Sequence, residues 1–120
     1  MTLGRLIIYT RKMDEMAEFY ATHFGYQIRR DPADRITELA PQAGGAALLL
    51  HPAGKAQKMG QVLVKLVFDV ADVPARRAAL MAAGIEVGPL LDGGGYAFAN
   101  LKDPSGNSVQ ISARAFRSAG

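Results

Sequence analysis

The chain has 120 residues, 49% of them hydrophobic and 21% charged, which suits one compact core and is too short for two ordinary domains. Lys plus Arg is 14 against 11 Asp plus Glu, a scattered surplus of +3 with no binding motif around it, so nucleic acid is not an expected partner. No apolar run nears the roughly 18–20 residues of a membrane span, the first residues lack the build of a secretory signal, and the absence of cysteine removes disulfides, thiolate metal sites and a thiol nucleophile, so a cytoplasmic protein is expected.

Residues 3–10 are apolar and β-branched around Ile7 and Ile8, which predicts a strand. Residues 13–24 switch to helical period: Met13, Met16, Ala17, Tyr20 and Phe24 form one stripe, Asp14, Glu15 and Glu18 stand near the start, and Gly25 supplies the stop. Three short strands follow at 26–30, 35–39 and 46–50, punctuated by Asp31-Pro32 and Ala43-Gly44-Gly45. Residues 51–61, with Pro52, Gly54 and Gly60, read as a connector whose Lys55 and Lys58 face water.

The second half repeats the order. A strand is predicted at 62–70, then a helix capped by Asp72 with Pro74 in its first turn, ending at Gly84. Strands follow at 85–91, 96–101 and 108–112, separated by Gly93-Gly94-Gly95 and the turn Asp103-Pro104-Ser105-Gly106-Asn107. Gly25 and Gly84 are 59 positions apart, so two strand–helix–strand–strand–strand modules are expected, at about 1–54 and 61–113, with a basic tail at 114–120. Arg114 and Arg117 in that tail hold two of the three surplus charges.

Three stretches then carry a family resemblance: Met13 through Tyr26 with its Phe19-Tyr20 pair and Phe24-Gly25; Val70-Ala71-Asp72-Val73 followed by Ala82-Ala83-Gly84-Ile85-Glu86-Val87; and Asp103 through Ile111. The sequence resembles the vicinal oxygen chelate superfamily, which includes glyoxalase I, the bleomycin-resistance proteins and the extradiol dioxygenases. The resemblance implies an α+β fold of two βαβββ modules, curled into an open, eight-stranded, U-shaped barrel around a cavity, and a homodimer. Metal-using members place His or Gln, Glu, His and Glu on the first, fourth, fifth and eighth strands. Those positions fall here on Arg5, Leu49 (within one residue), Lys65 and Gln110. Arg does not give up its proton, Lys seldom offers its lone pair, and Leu has no donor atom. No metal and no other cofactor is therefore expected.

By strand alternation, Ile7 and Tyr9 share a face with Arg5, and Leu3 joins them. Leu63 and Val67 accompany Lys65, and Tyr96, Phe98 and Asn100 share one face of their strand; the resemblance places the opposite face, that of Leu101, toward a helix, which implies that these three line the cavity beside Ser108, Gln110 and Ser112. The expected ligand-binding set is Arg5, Ile7, Tyr9, Lys65, Tyr96, Phe98, Asn100 and Gln110. Three competing accounts of the cations stay open: they grip an anionic ligand, Glu38 or Asp69 neutralises them internally, or both snorkel to solvent. His23 reads as a helix-end residue and His51 as the edge of the connector. Gly93-Gly94-Gly95 lacks the Lys-Ser/Thr of a phosphate loop and reads as a mobile turn over the cavity mouth. Ser105, Ser108 and Ser112 stand in no triad arrangement, and the methionines read as packing.

The function expected first is metal-independent binding of a small, partly aromatic, anionic molecule. Drug-binding relatives favour cationic ligands in acidic grooves, so the basic character argues against bleomycin itself. The alternatives are a metal-free lyase or isomerase using Tyr9, Tyr96, Lys65 or His51 as acid or base, and a divergent metal lyase or dioxygenase with shifted ligands. No catalytic residue is assigned.

Overall fold

The computed structural model describes residues 1–61 and 63–117; Val62, where the fifth predicted strand begins, and 118–120 of the tail lie outside the described residues. The chain divides into two compact units, Met1–Gln61 and Val62–Gly120. The first runs β1 (Arg5–Thr10), α1 (Met13–Phe24), β2 (Tyr26–Arg29), β3 (Thr37–Pro41) and β4 (Ala47–Pro52). The second runs β5 (Lys65–Asp69), α2 (Val73–Ala82), β6 (Leu91–Asp92), β7 (Ala97–Lys102) and β8 (Ser108–Ser112), then a short 3-10 turn at Arg114–Phe116. Each unit holds a four-stranded mixed sheet, ordered β1-β4-β3-β2 and β5-β8-β7-β6, with the first and last strands of the unit paired in parallel. This is the predicted α+β pair of βαβββ modules.

In module one, α1 buries Met16, Ala17, Phe19 and Tyr20, a wider stripe than the predicted one, while Met13 and Phe24 are half-buried. The helix covers Leu39, Leu48 and Leu50 of the sheet, all nearly or fully buried. Each such side chain contributes roughly 1.5–3 kcal/mol of hydrophobic stabilisation. The helix closes on Gly25, whose φ of 73° lies in the left-handed region and whose N–H donates to the Tyr20 carbonyl. Lys12, at the N-cap, provides no side-chain cap; its N–H donates instead to Thr10 Oγ1 at 2.9 Å.

Module two packs Val73 and Leu80 of α2 against buried Val87, Ala99, Leu101, Val109 and Ile111. Asp72 caps α2 as expected, its carboxylate accepting from Ala75 N–H at 3.1 Å. The strand predicted at 85–91 does not form as one piece. Val87 bridges Leu101 and Gly88 N–H reaches the Asn100 carbonyl, but β6 then pairs Leu91 with Phe98, one residue out of step. Pro89 has no N–H for a ladder, and the extra residue is absorbed there as a bulge. Leu91 consequently lies opposite Phe98 although Val87, of the same parity, lies opposite Leu101.

The connector is more ordered than its composition suggests. His51 and Pro52 belong to β4. Arg11 Nη2 donates to three carbonyls of the following loop, Gly54 at 3.2 Å and Lys55 and Gln57 at 2.8 Å each. Met59 Sδ accepts from Arg11 N–H at 3.3 Å and from Thr10 Oγ1 at 3.8 Å. Lys55 and Lys58 are exposed, as read from the sequence.

Candidate functional site

Each helix covers one face of its sheet and leaves the other open. In β1 the alternation is clean: Arg5, Ile7 and Tyr9 are exposed while Leu6 and Ile8 are half-buried and Thr10 is buried on the helix side. The parallel register sets Arg5 beside Ala47, Ile7 beside Leu49 and Tyr9 beside His51. The Tyr9 and His51 rings meet at 5.1 Å between centroids. His51 Nδ1 lies 2.9 Å from the Pro52 carbonyl, which can only accept, so Nδ1 is the donor in this contact. His51 is thus an open-face strand residue, not the loop-edge histidine expected.

In module two, β5, β8 and β7 lie side by side with Lys65 opposite Ser108 and Ser108 opposite Lys102; the next rung of the same face is Val67, Gln110 and Asn100. Lys65 Nζ reaches across β8 to donate to Asn100 Oδ1 at 3.0 Å, and Gln110 Nε2 donates to the same oxygen at 2.9 Å. Lys102 Nζ donates to Ser108 Oγ at 3.0 Å. Two ammonium groups therefore lean over β8 with neutral partners. Lys102 belongs to this cluster and was missed by the sequence reading, although it shares the parity of Asn100. Further along the face, Tyr96 and Phe98 stack obliquely at 6.0 Å.

Neither expected internal neutralisation occurs. Glu38 faces Arg29 at 4.0 Å instead, and among the described residues no carboxylate comes within 4.0 Å of Arg5 or Lys65. The open faces are also wetter than a lined cavity would be: Ile7, Tyr9 and Val67 are each about half exposed, and Leu63 fully so. Two described depressions hold none of the eight predicted residues. One, of about 270 Å³, lies on module one between Arg29, Asp31, Glu38 and Leu49; the other, of about 420 Å³, lies between Asp69 and the first turns of α2.

The glycine turn is tied at its base. Asp92 Oδ1 accepts from Gly94 N–H at 2.9 Å and Gly95 N–H at 3.1 Å, and these backbone donors hold its carboxyl below the usual aspartate value. A β-carbon on Gly93 would run into the Tyr96 ring, so the phenol as placed rests against a bare α-carbon. The second polar turn is bound more tightly. Buried Asp103 accepts from Ser105 N–H, Asn107 N–H and Asn107 Nδ2, each at 2.9 Å. His23, in the last turn of α1, packs its ring 5.6 Å from Phe19.

The sequence model of the Glyoxalase/Bleomycin resistance protein/Dioxygenase superfamily matches residues 2–111. The chain belongs to this superfamily. Solved structures with the same fold include an antibiotic-binding protein, TnmS3 from Streptomyces sp. CB03234, at 19% identity and TM-score 0.76, covering 92% of this chain and 93% of that one. A lactoylglutathione lyase from Agrobacterium tumefaciens aligns at 18% identity and TM-score 0.72 over 96% and 95% of the two chains. The oxidase ChaP-H2 aligns at 18% identity and TM-score 0.78 over 100% and 98%. No curated protein sequence matches the chain. At these identities the neighbours share a fold, and their differing activities transfer nothing.

Metal-dependent members of the superfamily need lone pairs at four strand positions. Here Arg5 and Leu49 stand on the open face of module one, while Lys65 and Gln110 both spend a hydrogen on Asn100. Among the described residues no three His, Cys, Asp or Glu side chains cluster. This donor set does not fit a divalent ion. Among the described residues no helix is long and apolar enough to cross a membrane.

Proposed function

We infer that the protein binds a small anionic, partly aromatic molecule without a metal ion. The binding groups are Lys65, Asn100 and Gln110, with Tyr96 and Phe98, on the open face of module two, and Arg5, Ile7 and Tyr9 on that of module one. One observation carries this reading: Lys65 is held by a neutral amide, not a carboxylate. Its ammonium has two hydrogens to spare beyond the one given to Asn100, and Lys102 adds a second ammonium on the adjoining rung. An acidic oxygen over β8 would gain charge-assisted hydrogen bonds from both, and the aromatic pair offers its ligand a flat apolar contact. The antibiotic-binding neighbour supports a binding role on this fold. A homodimer and a cytoplasmic location belong to the same proposal.

The test is a thermal-shift screen of the full chain against aromatic carboxylates and phosphate monoesters. A ligand at about a hundred times its Kd adds roughly 2.7 kcal/mol of stability. The expected result is a rise in Tm with at least one compound, lost in Lys65→Gln and reduced in Arg5→Ala. A flat response across the panel, or identical shifts in the variants, would refute the reading. A second reading, metal-free acid–base chemistry, is favoured by His51 Nε2, which has no hydrogen-bond partner among the described residues, on a ring that meets Tyr9. Turnover of a bound compound, abolished by His51→Gln, would put that reading in place of simple binding.

A further inference from the structure

The two surplus cations of the C-terminal segment are not scattered on the surface. Arg114 and Arg117 converge on one side chain, with guanidinium carbons 5.4 Å and 5.9 Å from the centroid of the Tyr96 ring. Arg114 Nη1 donates to Tyr96 Oη at 3.0 Å. The phenol that gathers them is seated on Gly93, at the turn tied by Asp92. Attraction to the ring face contributes about 0.5–1 kcal/mol per cation at an exposed site, while the two like charges oppose one another. Among the described residues no carboxylate lies within 4.0 Å of either guanidinium.

We propose that Arg114, Arg117 and the Tyr96 hydroxyl form an anion-binding clamp for a phosphate or carboxylate group, which shares the Tyr96 ring with the ligand set proposed above but uses neither ammonium of the Lys65 cluster. Tyr96 Oη accepts from Arg114, so its own hydrogen is free to donate. Arg114 retains four N–H donors, and among the described residues the Arg117 side chain has no hydrogen-bond partner, which leaves all five of its own. Guanidinium forks match the paired oxygens of phosphate and carboxylate. An anion between them would also cancel the repulsion that the bare pair carries.

The experiment is a titration of the full chain with inorganic phosphate, and in parallel with acetate, at constant ionic strength. The readout is the NMR signal of the Tyr96 ring, assigned by its loss in Tyr96→Phe. Saturable movement of that signal is expected, with half-saturation weakened at least about tenfold in the Arg114→Gln/Arg117→Gln double variant. Lys65→Gln should leave it unchanged. Movement with both anions would define a general oxyanion site, and movement with phosphate alone a phosphate site. Absence of saturation, or equal saturation in the double variant, would overturn the proposal. So would loss of the response in Lys65→Gln, which would place the anion in the Lys65 cluster and leave the clamp empty.

Discussion

Tyr26 illustrates how a single side chain carries both packing and a titration. Its hydroxyl donates to the Ala46 carbonyl at 3.0 Å, stapling β2 to the turn before β4, and burial raises its pKa above the ordinary tyrosine value. The fold holds this proton more tightly than the unfolded chain does. Its contribution is therefore fully present below a pH of about 10 and is lost as the pH climbs towards the folded-state pKa. In an alkaline titration followed by tyrosinate absorbance, Tyr26→Phe should remove a component that ionises above the ordinary value. A variant that loses only ordinary-range titration would contradict this. Individual side chains were unevenly legible in the sequence. Asp72 was readable as a cap because its partner lies three residues away. Lys102 and His51 were not, because their roles depend on which residue stands opposite across the sheet, and alternation along one strand carries no register.

At the scale of elements, α1 was legible to the residue because its apolar stripe, acidic start and terminal glycine all agree. The strand at 85–91 was misread because a bulge at a proline changes parity without changing composition. The connector was legible as a loop, but what holds it was not: its order comes from Arg11, more than forty positions away in sequence, gripping three carbonyls through one nitrogen. Arg11→Ala should free that loop. Limited trypsinolysis of the full chain should then cut after Lys55 and Lys58 at least about threefold faster than in the parent, with little change in Tm. Unchanged cleavage would show that the loop is held by Met59 and its neighbours and not by the guanidinium.

For the molecule as a whole, the repeat of 59 positions gave the fold its strongest signature, and both halves do build the same sheet order. The chemistry was less visible, because a cation at a ligand position says what is excluded and not what takes its place. The exclusion itself can be checked. Zinc, nickel or ferrous ion added to the full chain should shift Tm by less than about 1 °C, whereas a site filled at a hundred times Kd would add several degrees. One equivalent of any such ion retained through gel filtration would overturn the assignment. The seat under Tyr96 has a consequence for how this charge is deployed. Position 93 carries only a hydrogen where a β-carbon would force the phenol to shift. Replacing that hydrogen would move the ring on which both tail arginines rest without changing the net charge of +3. The placement of the module's positive charge is thus tunable from a position that bears no charge at all.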